Sequence, residues 1–204
     1  MTKPTTFYLV RHGESEANAA RRFAGQSDSP LTERGRQQAE AVAVELANVK
    51  FDRIVSSDLS RTRETAEVIA KRHGLQVEVL PELREIDVGD RTGTAFDEAR
   101  GLPNWSDDGF VAWPRGETMD QVLGRTLGTI ERLTRESPGK TILVVGHGGI
   151  NRILLSHFMG VLPKLDRSPA TNTNISVVHT DGRAHHVERL FASDHLTGSE
   201  RKLT

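Results

Sequence analysis

Two histidines of this chain each follow a short apolar run that predicts a buried β-strand. His12 comes after residues 6–10 and stands between Arg11 and Gly13, while His147 comes after residues 141–145 and stands between two glycines. In parallel α/β sheets, ligands bind in the crevice at the carboxyl ends of the strands. If the two strands are neighbours, we expect both imidazoles to face one crevice, with a guanidinium group beside them.

A second arginine and a carboxylate are expected at the same rim. The predicted strand at residues 51–56 runs into polar residues, and Arg61 lies just beyond it on the first turn of a predicted helix. The next predicted strand, at residues 76–80, is followed by Glu85. Because Glu82, Asp87 and Asp90 are close to Glu85 in the chain, spacing alone leaves the choice among these carboxylates open.

This set of side chains suits the transfer of a phosphoryl group. Arginine forks match phosphate oxygens in charge and geometry, and helix N-termini add backbone N–H donors. A neutral imidazole nitrogen is a competent nucleophile toward phosphorus, and flanking guanidinium groups lower its pKa and so favour the neutral form. A carboxylic acid can give a proton to the departing alkoxide and then take one from the attacking water. Such a scheme needs no metal and no other cofactor.

The elements that would position these groups alternate between short apolar runs and helical periodicity. This alternation predicts an α/β sheet with helices on its faces. Two more strands are predicted at residues 175–179 and 184–190. Helices are predicted after a Thr32 cap, from Ser60 until Gly74 stops the helix, over residues 118–136 and over residues 150–158.

No boundary divides the chain of 204 residues, so we expect a single domain over residues 1–204, with its core at about residues 6–190 and a short C-terminal tail. Residues 84–116 differ from the rest because Gly, Pro and Asp are frequent and Trp105 and Trp113 both occur there. This composition predicts a long excursion over the sheet with one short helix. Excursions of this kind often cover binding sites.

Composition and charge argue against several classes of protein. Lys and Arg total 27 against 28 Asp and Glu, a net charge of -1 that is unlike a general nucleic-acid binder or a membrane-surface protein. There are no cysteines, which excludes disulfides, thiolate catalysis and Cys-based zinc sites. The first apolar run is too short for a signal peptide or a membrane span. We therefore expect a soluble, cytoplasmic protein whose partner is a small phosphorylated metabolite, with no nucleic acid and no membrane.

Further segments of the chain match the motifs of one known family in order and spacing. They are residues 11–15 with Asn18, residues 22–25, 30–35, 56–66, 83–93, 116–118 and 144–149. Over about residues 6–180 the chain resembles the histidine phosphatase superfamily, also called the phosphoglycerate mutase-like family. The resemblance implies a three-layer α/β/α fold with a mostly parallel central sheet. One departure is Asp90-Arg91, where many relatives carry an aromatic residue; it alters the expected pocket wall but not the acid.

The resemblance also implies a role for each matching residue. His12 would be the phosphorylated nucleophile and Glu85 the proton donor, while Arg11, Arg61 and His147 would form the phosphate pocket. No metal site is implied. The additional candidates for phosphate or substrate binding are Asn18, Gly25, Gly148, Thr118 and Asn174, together with the region of Trp105 and Trp113.

The family divides between mutases and phosphatases, and residues 94–116 favour the phosphatases. Known mutases carry long insertions after the acid-bearing loop that are rich in Arg, Lys and Tyr, since they must hold a bisphosphorylated sugar acid. Here the stretch is short, and the only tyrosine of the chain is Tyr8 in the first strand. The charged residues of the stretch are mostly acidic, namely Asp97, Glu98, Asp107 and Asp108 against Arg100 and Arg115.

We therefore expect a metal-independent phosphatase that hydrolyses a small phosphomonoester through a phosphohistidine on His12. A phosphoglycerate mutase and a non-catalytic protein that binds a phosphorylated ligand are the alternatives. Phosphosugars, phosphoglycerate derivatives, phosphoserine and a cofactor precursor all remain candidate substrates. Because dimers are common among relatives, a homodimer is also possible.

Overall fold

The computed structural model describes residues 3–99, 113–162, 164–165, 168 and 170–197. Its centre is a six-stranded sheet with the strand order β3-β2-β4-β1-β5-β6. The strands are β1 (Thr5–Arg11), β2 (Arg53–Ser56), β3 (Val77–Val79), β4 (Thr141–Gly146), β5 (Ile175–Thr180) and β6 (His185–Ala192). The helices are α1 (Glu16–Ala19), α2 (Glu33–Glu45), α3 (Ser60–His73), α4 (Phe96–Ala99), α5 (Met119–Glu136) and α6 (Gly148–Phe158).

Four strands of the sheet pair in parallel, and β5 and β6 extend one edge through antiparallel pairing. β1 and β4 are parallel neighbours, β4 pairs with β2 and β2 with β3, whereas β5 runs antiparallel to both β1 and β6. Arg11 is in register with Gly146, and the His12 N–H donates to the Gly146 carbonyl at 3.0 Å. The histidines that follow these two strands therefore lie side by side, as the sequence predicts.

Alternate residues of the strands pack on opposite faces of the sheet, each against its own pair of helices. Leu9 and Val144 pack on the face covered by α5 and α6, while Val10 and Val145 pack on the face covered by α2 and α3. The period-two alternation of a strand produces this division. The predicted three-layer α/β/α fold with a mostly parallel sheet is confirmed.

Helix termini lie close to their predicted positions because the capping residues act as expected. The Thr32 side chain accepts from the Gly35 N–H at the start of α2, and Thr118 forms a capping box with Gln121 at the start of α5. Gly74 ends α3 in the left-handed conformation, at φ 64°. Within the part of the chain that the structure describes, no helix is long and apolar enough to cross a membrane.

The segments near the site contain one short helix that was expected, α4, and one that was not, α1. The single turn α1 was not predicted, since it has no apolar periodicity; Ser15 begins it through a capping box with Asn18. The excursion after β3 contains α4 and two 3₁₀ turns, Pro81–Leu83 and Gly89–Arg91. The residues predicted to matter that lie outside the described residues are Arg100, Trp105, Asp107, Asp108 and the tail beyond residue 197.

Candidate active site

His12 and His147 lie at the carboxyl ends of β1 and β4, and His12 lines a cavity of about 360 Å³ there. Their side chains are buried, and the ring centroids are 5.2 Å apart with the planes tilted by 66°. Backbone at the ends of two buried parallel strands is rigid, because both strands are held by ladder hydrogen bonds on each side. The pair therefore has a fixed geometry.

The orientation of the His12 ring leaves one nitrogen for chemistry. Nδ1 is 2.6 Å from the Gly13 carbonyl oxygen, which can only accept, so Nδ1 carries the hydrogen and Nε2 carries the lone pair. Burial, followed by the positive charges of Arg61 and Arg11, holds the pKa of His12 well below its usual value. At neutral pH the ring is uncharged, with a nucleophilic Nε2.

The loop after His12 is anchored by close backbone packing. The Gly13 N–H donates to Thr65 Oγ1 at 3.1 Å, and a Cβ on Gly13 would collide with the backbone carbonyl of Gly35. The buried Glu14 carboxylate pairs with Arg34 at 2.8 Å and accepts from the Thr32 hydroxyl at 2.8 Å. The Glu14 carboxylate therefore holds the loop against the start of α2, which is a structural role.

Two guanidinium groups line the cavity beside His12, that of the buried Arg61 and that of the half-buried Arg11, and backbone carbonyls hold each of them. Arg61 donates to the carbonyls of Gly25 at 2.9 Å and Ser27 at 3.0 Å, and Arg11 donates to the Ala170 carbonyl at 2.6 Å. Burial lowers the pKa of Arg11 to about 10, so the group stays charged at neutral pH. Two fixed cations next to a neutral nucleophile form an anion site.

Glu85 is held at the N-terminus of α6, on the rim of the same cavity. One carboxylate oxygen accepts from the Gly149 N–H at 3.0 Å, and the other accepts from Ile150 at 3.2 Å and from Ile86 at 2.9 Å. A Cβ on Gly149 would lie 2.6 Å from Glu85 Oε1, so glycine leaves the space that the carboxylate occupies. The carboxylate that the resemblance selected is thus the one that lines the cavity.

Asn18 and Gly148 complete the phosphate end of the cavity. Asn18 Oδ1 accepts from Asn172 Nδ2 at 3.1 Å, so the amide NH₂ of Asn18 is the group left to face an anion. A Cβ on Gly148 would approach Arg11 Nε to 3.3 Å. Arg11 Nε and His147 Nδ1 are buried polar atoms with no hydrogen-bond partner among the described residues. An unpaired buried N–H donor such as Arg11 Nε is expected where an anion binds.

Comparison with known proteins agrees with this geometry. Residues 7–193 match the family model described as histidine phosphatase superfamily (branch 1). The chain belongs to the histidine phosphatase superfamily. Among its relatives, a protein named probable phosphoglycerate mutase GpmB, from Cronobacter sakazakii, is 40% identical over 182 residues, which is 85% of this chain and 83% of the relative.

Solved structures of the superfamily share the fold across nearly the whole chain. Bacillus stearothermophilus YhfR superposes with a TM-score of 0.85 at 32% identity, covering 94% of this chain and 98% of that one. A mycobacterial glucosyl-3-phosphoglycerate phosphatase gives a TM-score of 0.80 at 27% identity and covers 94% of this chain and 100% of its own. A solved structure named as a phosphatase and a relative named as a probable mutase are therefore both similar to this chain.

Two of the predicted substrate-binding residues of this superfamily member lie away from the cavity lining. The Thr118 side chain is exposed and caps α5, and the buried Asn174 side chain donates to the Thr171 carbonyl at 2.5 Å. Both side chains therefore stabilise local structure, and neither lines the cavity. Trp113 does line the cavity, whereas Trp105 is outside the described residues.

Other residues at the site were not singled out from the sequence. His147 Nε2 is 2.9 Å from Ser57 Oγ, which is 2.6 Å from Thr62 Oγ1. Since the Thr62 hydroxyl donates to the Leu59 carbonyl at 2.8 Å, Ser57 donates to Thr62 and accepts from His147 Nε2. The polar residues after β2 were the available signal for Ser57. Phe23 and Phe96 also line the cavity. The sequence contains no signal for these two residues other than their position near motif residues.

Proposed function

We propose that this protein is a phosphatase that hydrolyses a small phosphomonoester through a phosphohistidine on His12, with no requirement for a metal ion. One observation carries the proposal. The Nδ1–H of His12 is held by the Gly13 carbonyl, so that Nε2 is a neutral nucleophile in a cavity that Arg11, Arg61 and the Glu85 carboxyl group also line. These are the parts that a two-step phosphoryl transfer needs.

In the first step, His12 Nε2 would attack phosphorus while the ester P–O bond breaks. The electron pair of that bond goes to the leaving oxygen, which takes a proton from the Glu85 carboxyl group. The guanidinium groups of Arg11 and Arg61 stabilise the charge on the equatorial phosphoryl oxygens. The negative phosphate would offset the nearby guanidinium charges that contribute to the depressed pKa of His147, so that His147 Nδ1 could take a proton from the phosphate group and donate to the same oxygens.

In the second step, water would attack the phosphorus of the phosphohistidine. It gives a proton to the Glu85 carboxylate, the N–P bond breaks, and its electron pair returns to His12 Nε2. Inorganic phosphate leaves and the carboxyl group is again protonated. Each atom and proton is accounted for by the residues of the cavity together with one water molecule.

The wall of the cavity favours hydrolysis over a mutase reaction. A mutase must hold a second anionic group, and Arg22 and Arg152 are the lining arginines outside the phosphate end. The other described side chains of that part of the wall, among them Phe23, Ile86 and Val88, are apolar and offer a second anion no hydrogen bond. A mutase is the second candidate because of the name of the relative at 40% identity.

The test is hydrolysis of p-nitrophenyl phosphate in the presence of EDTA and its inhibition by vanadate. His12→Ala should abolish turnover while the circular dichroism spectrum and melting temperature stay close to those of the wild type. Full activity in that variant would overturn the proposal. A mutase would instead convert 3-phosphoglycerate to 2-phosphoglycerate only after addition of 2,3-bisphosphoglycerate, and a purely binding protein would bind phosphate without turnover.

A further inference from the structure

The part of the cavity beyond the phosphate end has an apolar wall built around one phenylalanine. The Phe23 ring lies 4.7 Å from the Phe96 ring and 5.2 Å from the Trp113 ring, measured between centroids, with interplanar angles of 66° and 68°. Edge-to-face contacts of this kind are favourable and fix the rings relative to one another. Three aromatic rings from separate segments thus form a defined surface.

This wall begins at the proposed proton donor. Ile86 follows Glu85 in the chain and donates its N–H to the Glu85 carboxylate at 2.9 Å, and Val88 lies two residues further on. Both side chains line the cavity with Phe23. Because the proton donor must contact the leaving oxygen, the carbon chain attached to that oxygen is directed onto this apolar surface.

Among the described residues, the charged side chains that line this side of the cavity are Arg22 and Arg152. Arg22 and Arg152 are engaged with backbone carbonyls, and the Arg152 guanidinium carbon also lies 5.2 Å from the centre of the Phe191 ring. A polyol leaving group would give up hydrogen bonds to water and find apolar carbon instead, which is unfavourable. An apolar leaving group would gain from the same burial.

We propose that the preferred substrates are phosphomonoesters of compact aromatic or branched apolar alcohols. The inference rests on the proposed phosphatase function and adds the class of leaving group. At about 360 Å³ the cavity is near the lower end of the size range of small-molecule sites, so the leaving group is small. A sugar phosphate or a phosphoglycerate is a poorer substrate in this account.

The experiment compares kcat/KM for 2-phenylethyl phosphate, ethyl phosphate and glycerol 3-phosphate. All three release a primary alkoxide, so the intrinsic difficulty of the chemical step is similar. We expect the phenylethyl ester to exceed glycerol 3-phosphate by about 10- to 100-fold, the range that an apolar pocket provides. In Phe23→Leu and, independently, in Trp113→Leu, the ratio of kcat/KM for 2-phenylethyl phosphate to that for glycerol 3-phosphate should fall by about 10-fold.

Phe51→Leu is the matched control, because Phe51 packs edge-to-face on Tyr8 in the opposite layer of the core. It should lower stability and leave the substrate preference unchanged. Equal rates for the three esters, or a preference for glycerol 3-phosphate, would overturn the inference and leave the phosphatase proposal intact.

Binding of phosphonates separates the pocket from the chemistry. The isosteres 3-phenylpropylphosphonate and propylphosphonate cannot be hydrolysed, and calorimetry should show tighter binding of the phenyl compound, with the difference reduced in Phe23→Leu. If no ester is hydrolysed but this difference is present, the phosphatase proposal fails and the apolar pocket stands. If both phosphonates bind equally, the apolar leaving-group pocket is refuted whatever the rates are.

Discussion

Replacing Gly149 with alanine tests the role of Glu85 without touching the carboxylate itself. The new Cβ would lie 2.6 Å from Glu85 Oε1 and 2.6 Å from Ile86 Cδ1. Ordinary contacts begin at 3.4 Å, so the carboxyl group must retreat by close to an ångström. A misplacement of about 1 Å in a catalytic group can cost about 100-fold in rate. We therefore expect kcat for an alkyl phosphate to fall by about 100-fold, or about 2.7 kcal/mol in the barrier.

The loss should depend on the leaving group. An alkoxide needs the proton from Glu85 when the ester bond breaks, whereas p-nitrophenolate is stable enough to leave without it. In rapid-quench single turnovers, phosphorylation of Gly149→Ala by p-nitrophenyl phosphate should stay within about 3-fold of the wild type, while 2-phenylethyl phosphate shows nearly the full loss.

Gly124→Ala is the matched control, because Gly124 is also a helical glycine and a Cβ there meets nothing within 4 Å. This variant should keep wild-type rates and gain about 0.5–1 kcal/mol of stability, the usual difference between glycine and alanine inside a helix. If Gly149→Ala retained the wild-type kcat for the alkyl ester, the assignment of Glu85 as proton donor would be refuted.

Other perturbations test how the phosphate end is held. Ser57→Ala removes the oxygen 2.9 Å from His147 Nε2, so kcat should fall by about 10-fold in steady-state assays, and Ser57→Thr, which keeps the hydroxyl, should lose less. Arg61→Lys cannot bond both carbonyls that the guanidinium holds, and kcat should drop by about 100- to 1,000-fold. The pKa values of His12 and His147 are depressed in the folded protein by burial and by Arg61, so the unfolded chain binds more protons below pH 6.5. Stability in urea titrations should therefore fall with pH below that point, by up to about 1.4 kcal/mol per pH unit for each histidine, with a smaller slope in His12→Asn.

Each of these outcomes has a result that contradicts it. Wild-type kcat in Ser57→Ala would show that the hydrogen bond to His147 does not matter for the reaction. Near-normal activity in Arg61→Lys would mean that a single positive charge is sufficient and that the guanidinium group held by two carbonyls is not required. A stability that rises as the pH falls toward 5 would show that the histidines gain protons on folding, opposite in sign to the burial argument.

The strands and the pair of histidines could be predicted because they depend on local patterns. Residues 6–10 and 141–145 are the most apolar runs of the chain, and buried parallel strands bring whatever follows them to one edge of the sheet. Arg61 was predictable for a similar reason, since a helix that begins at Ser60 directly after β2 must start at that edge.

The rest of the site depends on long-range packing that local patterns do not encode. The bond between Ser57 and His147 exists because β2 lies next to β4, and the strand order is a property of the whole fold. Phe23 and Trp113 lie in two irregular segments that pack against each other. Such segments have neither the apolar period of two residues of a strand nor the period of 3.6 residues of a helix. Thr118 follows the cavity residue Trp113 closely in the sequence, but its side chain makes the capping hydrogen bonds of α5 and does not line the cavity.

The most direct test of the central claim is to trap phosphate on His12. The protein would be quenched in base after brief exposure to a ³²P-labelled phosphomonoester, because phosphohistidine survives base and is lost in acid. We expect acid-labile label on the wild-type chain, mapped by mass spectrometry to the peptide containing His12, and none on His12→Asn. Turnover without any trapped label under conditions that slow the second step, or label on a residue other than His12, would contradict the account.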